Sequence, residues 1–380
     1  MTQKLIPYGR QWIDNSDIKA VTKVLRSGWI TQGPAIESFE TKIAAKAGAK
    51  YATAVSNGTA ALHAACFAAG VGLGDEVIVP TLTFTASANC VLFCGGAPVL
   101  VDVAPDTLTI DPQQVENKIN TKTKAIIAVD FAGHPADWDK LKSIAKKHKL
   151  VLIDDAAHAL GAKYKGKLIG SLADLTTFSF HPVKAITTGE GGIIVTDNKE
   201  YTDKMKLFRN HGISKTINNQ QLTINNPAWY QEMVDIGYNY RITDIQAALG
   251  LSQLKKLDKF LTRRRRVALQ YIKAFSSIDE IILPPHQNWA DHAWHIFPIQ
   301  LRHLNRNTVY NKLLKSGIKC QVHYLPIHLH PYYQKKFGYS YGDFPNAEKY
   351  FSRCLSIPIF PAMTQKMINK VIREITRAVY

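Results

Sequence analysis

The chain has 380 residues, of which 46% are hydrophobic and 20% charged, and these values are typical of a globular protein and exclude a disordered one. Lys and Arg total 47 against 30 Asp and Glu, so the formal net charge is +17 and favours anionic partners: nucleic acid, acidic membrane or phosphorylated small molecules. The most apolar stretch, residues 88–103, contains Gly95, Gly96 and Pro98 and cannot span a membrane. Five cysteines fit neither a disulfide framework nor a CxxC metal site, which predicts a cytoplasmic protein.

Short apolar runs alternate with helical segments along the first half of the chain. A capping cluster at Asp14 predicts a helix that ends near Gly28, and a second helix is predicted over residues 35–47. Because the apolar runs that follow are continuous rather than alternating, they predict strands buried on both faces of a mainly parallel sheet. The predicted strands are residues 51–55, 76–79, 98–103, 125–129, 150–153, 177–180 and 192–195.

The second half of the chain has a different pattern. Residues 242–261 have apolar side chains at helical spacing and predict one long helix. A strand over 296–301 and a helix over 307–314 indicate a smaller α+β domain. We therefore expect a large α/β domain over residues 1–240, and a linking helix with a small domain over residues 241–380. The N-terminal elements are expected to pack towards the small domain.

The first chemical motif is Ser56-Asn57-Gly58-Thr59, which follows a predicted strand and opens a predicted helix. A helix N-terminus has unpaired amides and a partial positive charge, and both suit a phosphate group. A plain capped turn between strand and helix accounts for the same residues. Taken alone, the motif leaves both interpretations open.

The second motif places Asp154 and Asp155 at the carboxyl end of a predicted strand, with His158 three residues later. Open α/β sheets bind ligands at that edge. A carboxylate there could hold a protonated ring nitrogen or a metal ion. The metal interpretation is the weaker one, because no second His or Cys cluster has ligand spacing.

The third motif runs from Ser179 to Lys184 and leads into a glycine-rich segment, residues 187–192. A lysine in a turn after a strand could form a Schiff base, and the serine could bind a phosphate, although most lysines are simply solvated charges. An acid followed about thirty residues later by such a lysine is the order needed by a pyridoxal 5'-phosphate (PLP) enzyme. Phe84 supplies an aromatic face for the cofactor ring.

These motifs resemble those of the DegT/DnrJ/EryC1/StrS family of PLP-dependent nucleotide-sugar aminotransferases, and the resemblance runs nearly from end to end. The supporting strings are GWITQGP at 28–34, SNGTAAL at 56–62, DAAHALG at 155–161 and GYNYR at 237–241. FHPVK at 180–184, ITTGEGG at 186–192 and QVHYLPIH at 321–328 resemble the pseudaminic-acid branch. That branch converts a UDP-linked 4-keto hexose into UDP-4-amino-4,6-dideoxy-N-acetyl-β-L-altrosamine, with L-glutamate as the amino donor.

The resemblance implies the fold of type I PLP-dependent transferases, which is aspartate aminotransferase-like. A mainly parallel central sheet is flanked by helices, and a smaller α+β domain follows at the C-terminus. Lys184 would bond covalently to the cofactor and shuttle the proton, and Asp155 would keep the pyridine nitrogen protonated. His158 would lie near the phenolic oxygen of the cofactor, and Phe84 would stack on its ring.

The family also has a shared site at a homodimer interface. By resemblance, the cofactor phosphate would meet the amides of Gly58, Thr59 and Ala60, the Ser179 hydroxyl, and Asn239 from the partner subunit. The residues expected to contact the nucleotide sugar are Tyr8, Gly28, Trp29, Ile30, Thr31, His323 and Tyr324. No metal, nucleic acid or membrane partner is expected.

Two alternatives to this assignment stay open at the level of sequence. One is a sister aminotransferase that acts on another UDP-, GDP- or dTDP-linked keto sugar. The other is a regulatory binding protein with a relic PLP fold. Some relatives that act as sugar dehydratases have histidine in place of the lysine, so Lys184 favours transamination.

Two further features have a structural and a functional interpretation. The Arg263–Arg266 run could bind nucleic acid, but the absence of an RNA-binding aromatic motif favours the solvated side of a long helix. Several histidines lack zinc spacing and are expected to contact substrate or lie on the surface. These are His292, His295, His303, His328 and His330.

Overall fold

The computed structural model describes residues 5–214 and 229–380, and a seven-stranded sheet lies at its centre. The described strands are β1 (Tyr51–Val55), β2 (Glu76–Pro80), β3 (Ala97–Val101), β4 (Thr123–Val129), β5 (Val151–Asp155), β6 (Lys163–Tyr164), β7 (Lys167–Leu168), β8 (Leu175–Ser179), β9 (Gly192–Thr196), β10 (Ile213–Ser214), β11 (Glu232–Met233), β12 (Ile281–Ile282), β13 (Ala290–Asp291), β14 (Phe297–Leu301) and β15 (Cys354–Ile357). The described α-helices are α1 (Asn15–Leu25), α2 (Pro34–Ala47), α3 (Gly58–Ala68), α4 (Ala86–Phe93), α5 (Pro112–Lys118), α6 (Trp138–His148), α7 (Lys199–Phe208), α8 (Asp244–Leu254), α9 (Leu257–Phe275), α10 (Arg306–Lys315), α11 (Pro331–Phe337), α12 (Pro345–Arg353) and α13 (Gln365–Val379).

The central sheet has the strand order β1-β9-β8-β5-β4-β2-β3. Every neighbouring pair is parallel except the two pairs that β9 makes with β1 and β8. Each predicted apolar run overlaps one of these strands, so the prediction of a mainly parallel α/β sheet is confirmed.

The burial of β4 explains why these runs are continuously apolar. Ile126 and Ala128 belong to the hydrophobic cluster on one face of the sheet, whereas Ala125 and Ile127 belong to the cluster on the other. All four side chains are fully buried. Because helices cover both faces, successive residues of a strand need apolar side chains.

Residues 242–261 do not form the single helix that the spacing predicts. Helix α8 ends at Leu254 and α9 begins at Leu257. At the break, the Lys256 ammonium pairs with Asp14 and Asp17 at the start of α1, at 3.0 and 2.6 Å. The two helices then pack in different places, α8 against α1 and α2, and α9 against α13.

A three-stranded antiparallel sheet, β12-β14-β15, forms the core of the C-terminal part of the chain. The predicted strand and helix there correspond to β14 and α10. Ile6 is buried in the same hydrophobic cluster, and its backbone pairs with Gly317 and Lys319 at 2.9 Å in both directions. The N-terminal segment at Ile6 therefore packs into the hydrophobic cluster of the C-terminal part.

Two observations concern membranes and thiols. Among the helices described for residues 5–214 and 229–380, none combines the length and apolar character needed to cross a bilayer. All five cysteines are free thiols.

Candidate active site

A cavity of about 860 Å³ lies where β5 and β8 end and α3 begins. Because the two strands are parallel, their carboxyl ends bring Asp155 and Ser179 to the same edge of the sheet. The residues singled out from the sequence that line this cavity include Tyr8, Gly58, Thr59, Ala60, Phe84, Asp155, His158, Ser179, Lys184, His295, His323 and Tyr324. Segments far apart in sequence thus meet at one place.

The start of α3 forms one wall of the cavity. Asn57 caps the helix, and its side-chain oxygen accepts a hydrogen bond from the Ala60 amide at 2.8 Å. The amides of Gly58 and Thr59 have no acceptor within the described part of the chain. A Cβ at position 58 would lie 3.0 Å from the Cβ of Ser179, so only glycine lets the helix end approach the serine this closely. Two amides and one hydroxyl therefore face a site suited to an anion.

Asp155 is a buried carboxylate held by two hydrogen bonds. Its Oδ2 accepts a 2.6 Å bond from the Ser87 hydroxyl, and its Oδ1 accepts a 3.2 Å bond from the Ala157 amide. The Ser87 hydroxyl also bonds to Thr83 at 2.7 Å. Burial raises the pKa of Asp155, whereas the bond from Ser87 lowers it. Sequence reasoning missed Ser87, although it lies in the first turn of α4, three residues after Phe84.

Lys184 lies in the turn that follows β8. Burial lowers the pKa of its amine to about 8; the Asp155 carboxylate raises this pKa, and the Arg264 guanidinium lowers it. No ion pair in the described segments involves Lys184. At neutral pH, a larger fraction of this amine is therefore unprotonated than in an ordinary lysine, as a nucleophile or proton acceptor requires.

The imidazole of His158 is neutral, and its tautomer follows from its partners. Burial lowers its pKa well below the ordinary value. Nδ1 accepts a bond from the Ala132 amide at 3.2 Å, so the proton is on Nε2, which lies 3.2 Å from the Tyr324 hydroxyl. The tyrosine oxygen accepts a hydrogen bond from this N–H, and its own hydroxyl proton remains available for donation. The His295 ring lies 4.3 Å from the His158 ring, centroid to centroid.

His323 and Tyr8 lie on the side of the cavity formed by the C-terminal part of the chain. Burial lowers the pKa of His323 to about 3, so its ring is neutral. Its Nδ1 lies 2.9 Å from the Ser356 hydroxyl, and its ring centroid lies 5.2 Å from that of Tyr8. The ring is therefore fixed in orientation beside the cavity.

Two groups predicted to contact ligands lie outside this cavity. The Gly28–Thr31 turn pairs with the start of α8 through an isolated bridge between Thr31 and Thr243. Asn239 pairs with Asn210 in the same way. Both segments are exposed on the surface of this chain. The structure does not bring them together with the cavity residues of the same chain.

The prediction of a solvated helix face for the Arg263–Arg266 run is wrong for Arg264, whose side chain is only 1% exposed. The spacing of α9 contained the signal: position 264 follows Leu261 by three residues and precedes Ala268 by four, so it lies on the buried stripe.

The expectation that the histidines without zinc spacing lie on the surface is wrong for three of them. His292, His295 and His328 are buried. No group of three or more His, Cys, Asp or Glu residues in the described ranges could hold a metal ion.

Comparison with known proteins identifies the family. Residues 11–376 match the DegT/DnrJ/EryC1/StrS aminotransferase family. The chain is 40% identical to the spore coat polysaccharide biosynthesis protein SpsC of Bacillus subtilis, over 99% of this chain and 98% of that protein. Helicobacter pylori PseC, an aminotransferase involved in the biosynthesis of pseudoaminic acid, superposes with a TM-score of 0.92 at 32% identity and 99% coverage of both chains. The PLP form of the sugar aminotransferase Spr1654 from Streptococcus pneumoniae also gives 0.92, at 30% identity, over 99% of this chain and 98% of that one. The chain therefore belongs to the DegT/DnrJ/EryC1/StrS aminotransferase family and is a PLP-dependent sugar aminotransferase.

Proposed function

We propose that the chain transfers the amino group of L-glutamate to C4 of a UDP-linked 4-keto-6-deoxy-N-acetylhexosamine, giving UDP-4-amino-4,6-dideoxy-N-acetyl-β-L-altrosamine. The observation that carries the proposal is the cavity that joins Lys184, Asp155 and Ser179. The choice of sugar is supported by the similarity to PseC and by the 321–328 segment, which contributes His323 and Tyr324 to the cavity wall.

The described residues fit PLP. We assign the cofactor phosphate to the free amides of Gly58 and Thr59 and to the Ser179 hydroxyl, which face one another at the start of α3. The Asp155 carboxylate would pair with the pyridine nitrogen and favour its protonated form. Phe84, whose side chain is 55% exposed towards the cavity, would cover one face of the ring.

Lys184 is assigned the covalent attachment and the proton transfers. PLP, when bound, supplies the electron sink of the reaction. With a pKa lowered to about 8, the neutral Nζ can accept the proton from the α-carbon of glutamate. In the second half-reaction the same nitrogen delivers a proton to C4 of the sugar.

The remaining cavity residues are assigned to orientation and substrate contact. His158, held in one tautomer, presents its Nε2–H to Tyr324 and would lie beside the phenolic oxygen of the cofactor. The Tyr324 hydroxyl then has its own proton available for an oxygen of the substrate. Tyr8 and His323, in ring contact with each other beside Tyr324, are proposed to hold the nucleotide sugar.

We further propose that two copies form a homodimer that completes each site. The Gly28–Thr31 turn and Asn239 lie outside their own cavity, so they are available to a second subunit. Large apolar side chains close to them in sequence are exposed, and exposed apolar surface often marks a protein interface. These side chains are Trp29, Ile30, Met233, Val234 and Ile236. In the dimer, Asn239 would reach the cofactor phosphate of the partner.

We place the boundary between the large and small domains near residue 240.

The visible absorption of the purified holoenzyme tests the reaction. We expect the cofactor band to decrease with L-glutamate and to return with the UDP-linked 4-keto sugar. Lys184→Ala should abolish this cycle, whereas Lys167→Ala, a change at an exposed lysine, should leave it intact. Return only with a GDP- or dTDP-linked sugar would move the assignment to a sister enzyme. Retained transamination in Lys184→Ala would refute the role of the lysine.

A further inference from the structure

Arg264, in the middle of α9, is buried and bonds only to backbone oxygens. One terminal nitrogen of its guanidinium donates to the carbonyls of Trp294, His295 and Ile359 at 3.2, 2.9 and 3.0 Å. The other terminal nitrogen donates to the carbonyl of Val183 at 3.2 Å. One side chain thus joins three segments that are distant in sequence.

The charge of Arg264 is not balanced by a carboxylate. None of the ion pairs in the described part of the chain includes it. Burial lowers its pKa to about 10, so the side chain is still charged at neutral pH. Burying an unpaired charge is costly, and an apolar side chain could fill the same position on the buried stripe of α9. The charge therefore calls for an explanation other than packing.

Each segment that Arg264 contacts either carries a residue of the cavity wall or bonds directly to one. Val183 directly precedes Lys184. His295 lies with its ring against His158. Ile359 donates its amide to the Tyr8 carbonyl at 3.0 Å. The hydrogen bonds of this guanidinium therefore reach backbone groups that belong to the cavity wall or adjoin it.

We propose that Arg264 is a positioning residue for Lys184: its guanidinium fixes the backbone beside the lysine and keeps a permanent positive charge next to the amine. The inference rests on the role assigned to Lys184 above. It adds a residue that does not line the cavity and acts through the lysine turn.

The charges around Lys184 support the electrostatic half of this proposal. The Asp155 carboxylate raises the pKa of the amine, and Arg264 opposes it. Four other titratable groups of the cavity wall are uncharged, because burial lowers the pKa values of three imidazoles and raises that of a phenol. These groups are His158, His295, His323 and Tyr324. Without Arg264, the attraction of Asp155 for the ammonium form would be unopposed by a cation in the described segments.

The reactivity of Lys184 tests the proposal without relying on catalysis. In the full chain freed of cofactor, competitive acetylation read by peptide mass spectrometry gives the pH midpoint of this amine. We expect the midpoint to move to higher pH in Arg264→Met and to stay near the wild-type value in Arg264→Lys, which keeps the charge. Arg266→Met, at an exposed position of the same helix, is the matched control and should leave the midpoint unchanged. An unchanged midpoint in folded Arg264→Met would overturn the electrostatic role.

A second measurement tests whether Arg264 fixes the backbone beside Lys184. It does not need Arg264→Met and can therefore be made even if that variant does not fold. A lysine at 264 cannot reproduce the forked donation to four carbonyls. We therefore expect faster amide hydrogen exchange over residues 181–186 in Arg264→Lys than in Arg266→Lys. Equal exchange in the two variants would refute the proposal. Because neither measurement uses turnover, a wrong substrate assignment would leave both results interpretable.

Discussion

The hydroxyl of Ser87 lies 2.6 Å from Oδ2 of Asp155, and this bond connects the first turn of α4 to the carboxyl end of β5. Ser87 is fully buried, and it also bonds to Thr83. The carboxylate therefore has a fixed orientation before any cofactor arrives. Of the hydrogen bonds that keep Asp155 ionised, this one comes from a side chain that substitution can remove.

Replacing Ser87 with Ala should weaken PLP binding. A hydrogen bond to a charged group contributes about 1.5–3 kcal/mol, which corresponds to a roughly 10- to 100-fold loss of affinity. The bond also lowers the pKa of Asp155. As the pH falls, Asp155 of the variant should therefore become protonated, and release the cofactor, at a higher pH than in the wild type. Absorbance titrations with PLP between pH 5.5 and 8 measure both effects. Ser171→Ala, at an exposed serine, is the control; equal affinities in the two variants would contradict the assignment.

The rate at which the cofactor-free chain binds PLP should rise with pH as the Lys184 amine loses its proton. Only the neutral amine attacks a carbonyl, and burial lowers its pKa to about 8. Capture by the cofactor-free chain should therefore accelerate from pH 6 and level off above about 8. A free lysine side chain, with a pKa of about 10.4, should keep accelerating beyond that point. Stopped-flow absorbance measures the rates, and a profile that followed free lysine would show that the amine is not desolvated.

Mixing two inactive variants tests whether the sites are shared. If Asn239 serves the partner's cofactor, a dimer of one Lys184→Ala subunit and one Asn239→Ala subunit contains one intact site. Random mixing of equal amounts should then restore about a quarter of the wild-type activity, since half of the dimers are mixed and one of their two sites is complete. Each variant alone serves as the baseline. No recovery after subunit exchange, verified by mass spectrometry, would place Asn239 in its own subunit's site.

The sequence predicted the sheet and most of the cavity because these depend on local patterns. Continuous apolar runs indicate the seven strands, and the motifs at 56–59, 154–158 and 179–184 each lie at the carboxyl end of one of them. Contacts between distant segments left no such local pattern. The break at Lys256 depends on a pairing with Asp14 and Asp17, more than two hundred residues away. For Arg264, the run of four arginines predicts a surface charge, whereas the helical spacing places this residue inside.

His63 should make the fold sensitive to acid. Its ring lies among aromatic side chains, with Nδ1 3.2 Å from the Tyr240 hydroxyl, and burial lowers its pKa to about 4. In the unfolded chain the pKa is about 6.5, so between these two values the unfolded state binds more protons than the folded state. The stabilisation is therefore complete above about pH 6.5 and is lost progressively as the pH falls towards 4.

His63→Gln should reduce the dependence of the free energy of unfolding on pH between 5 and 7, as measured by denaturant titration. His303→Gln, at an exposed histidine, should keep the wild-type slope, and identical slopes for both variants would show that His63 is not protonated on unfolding.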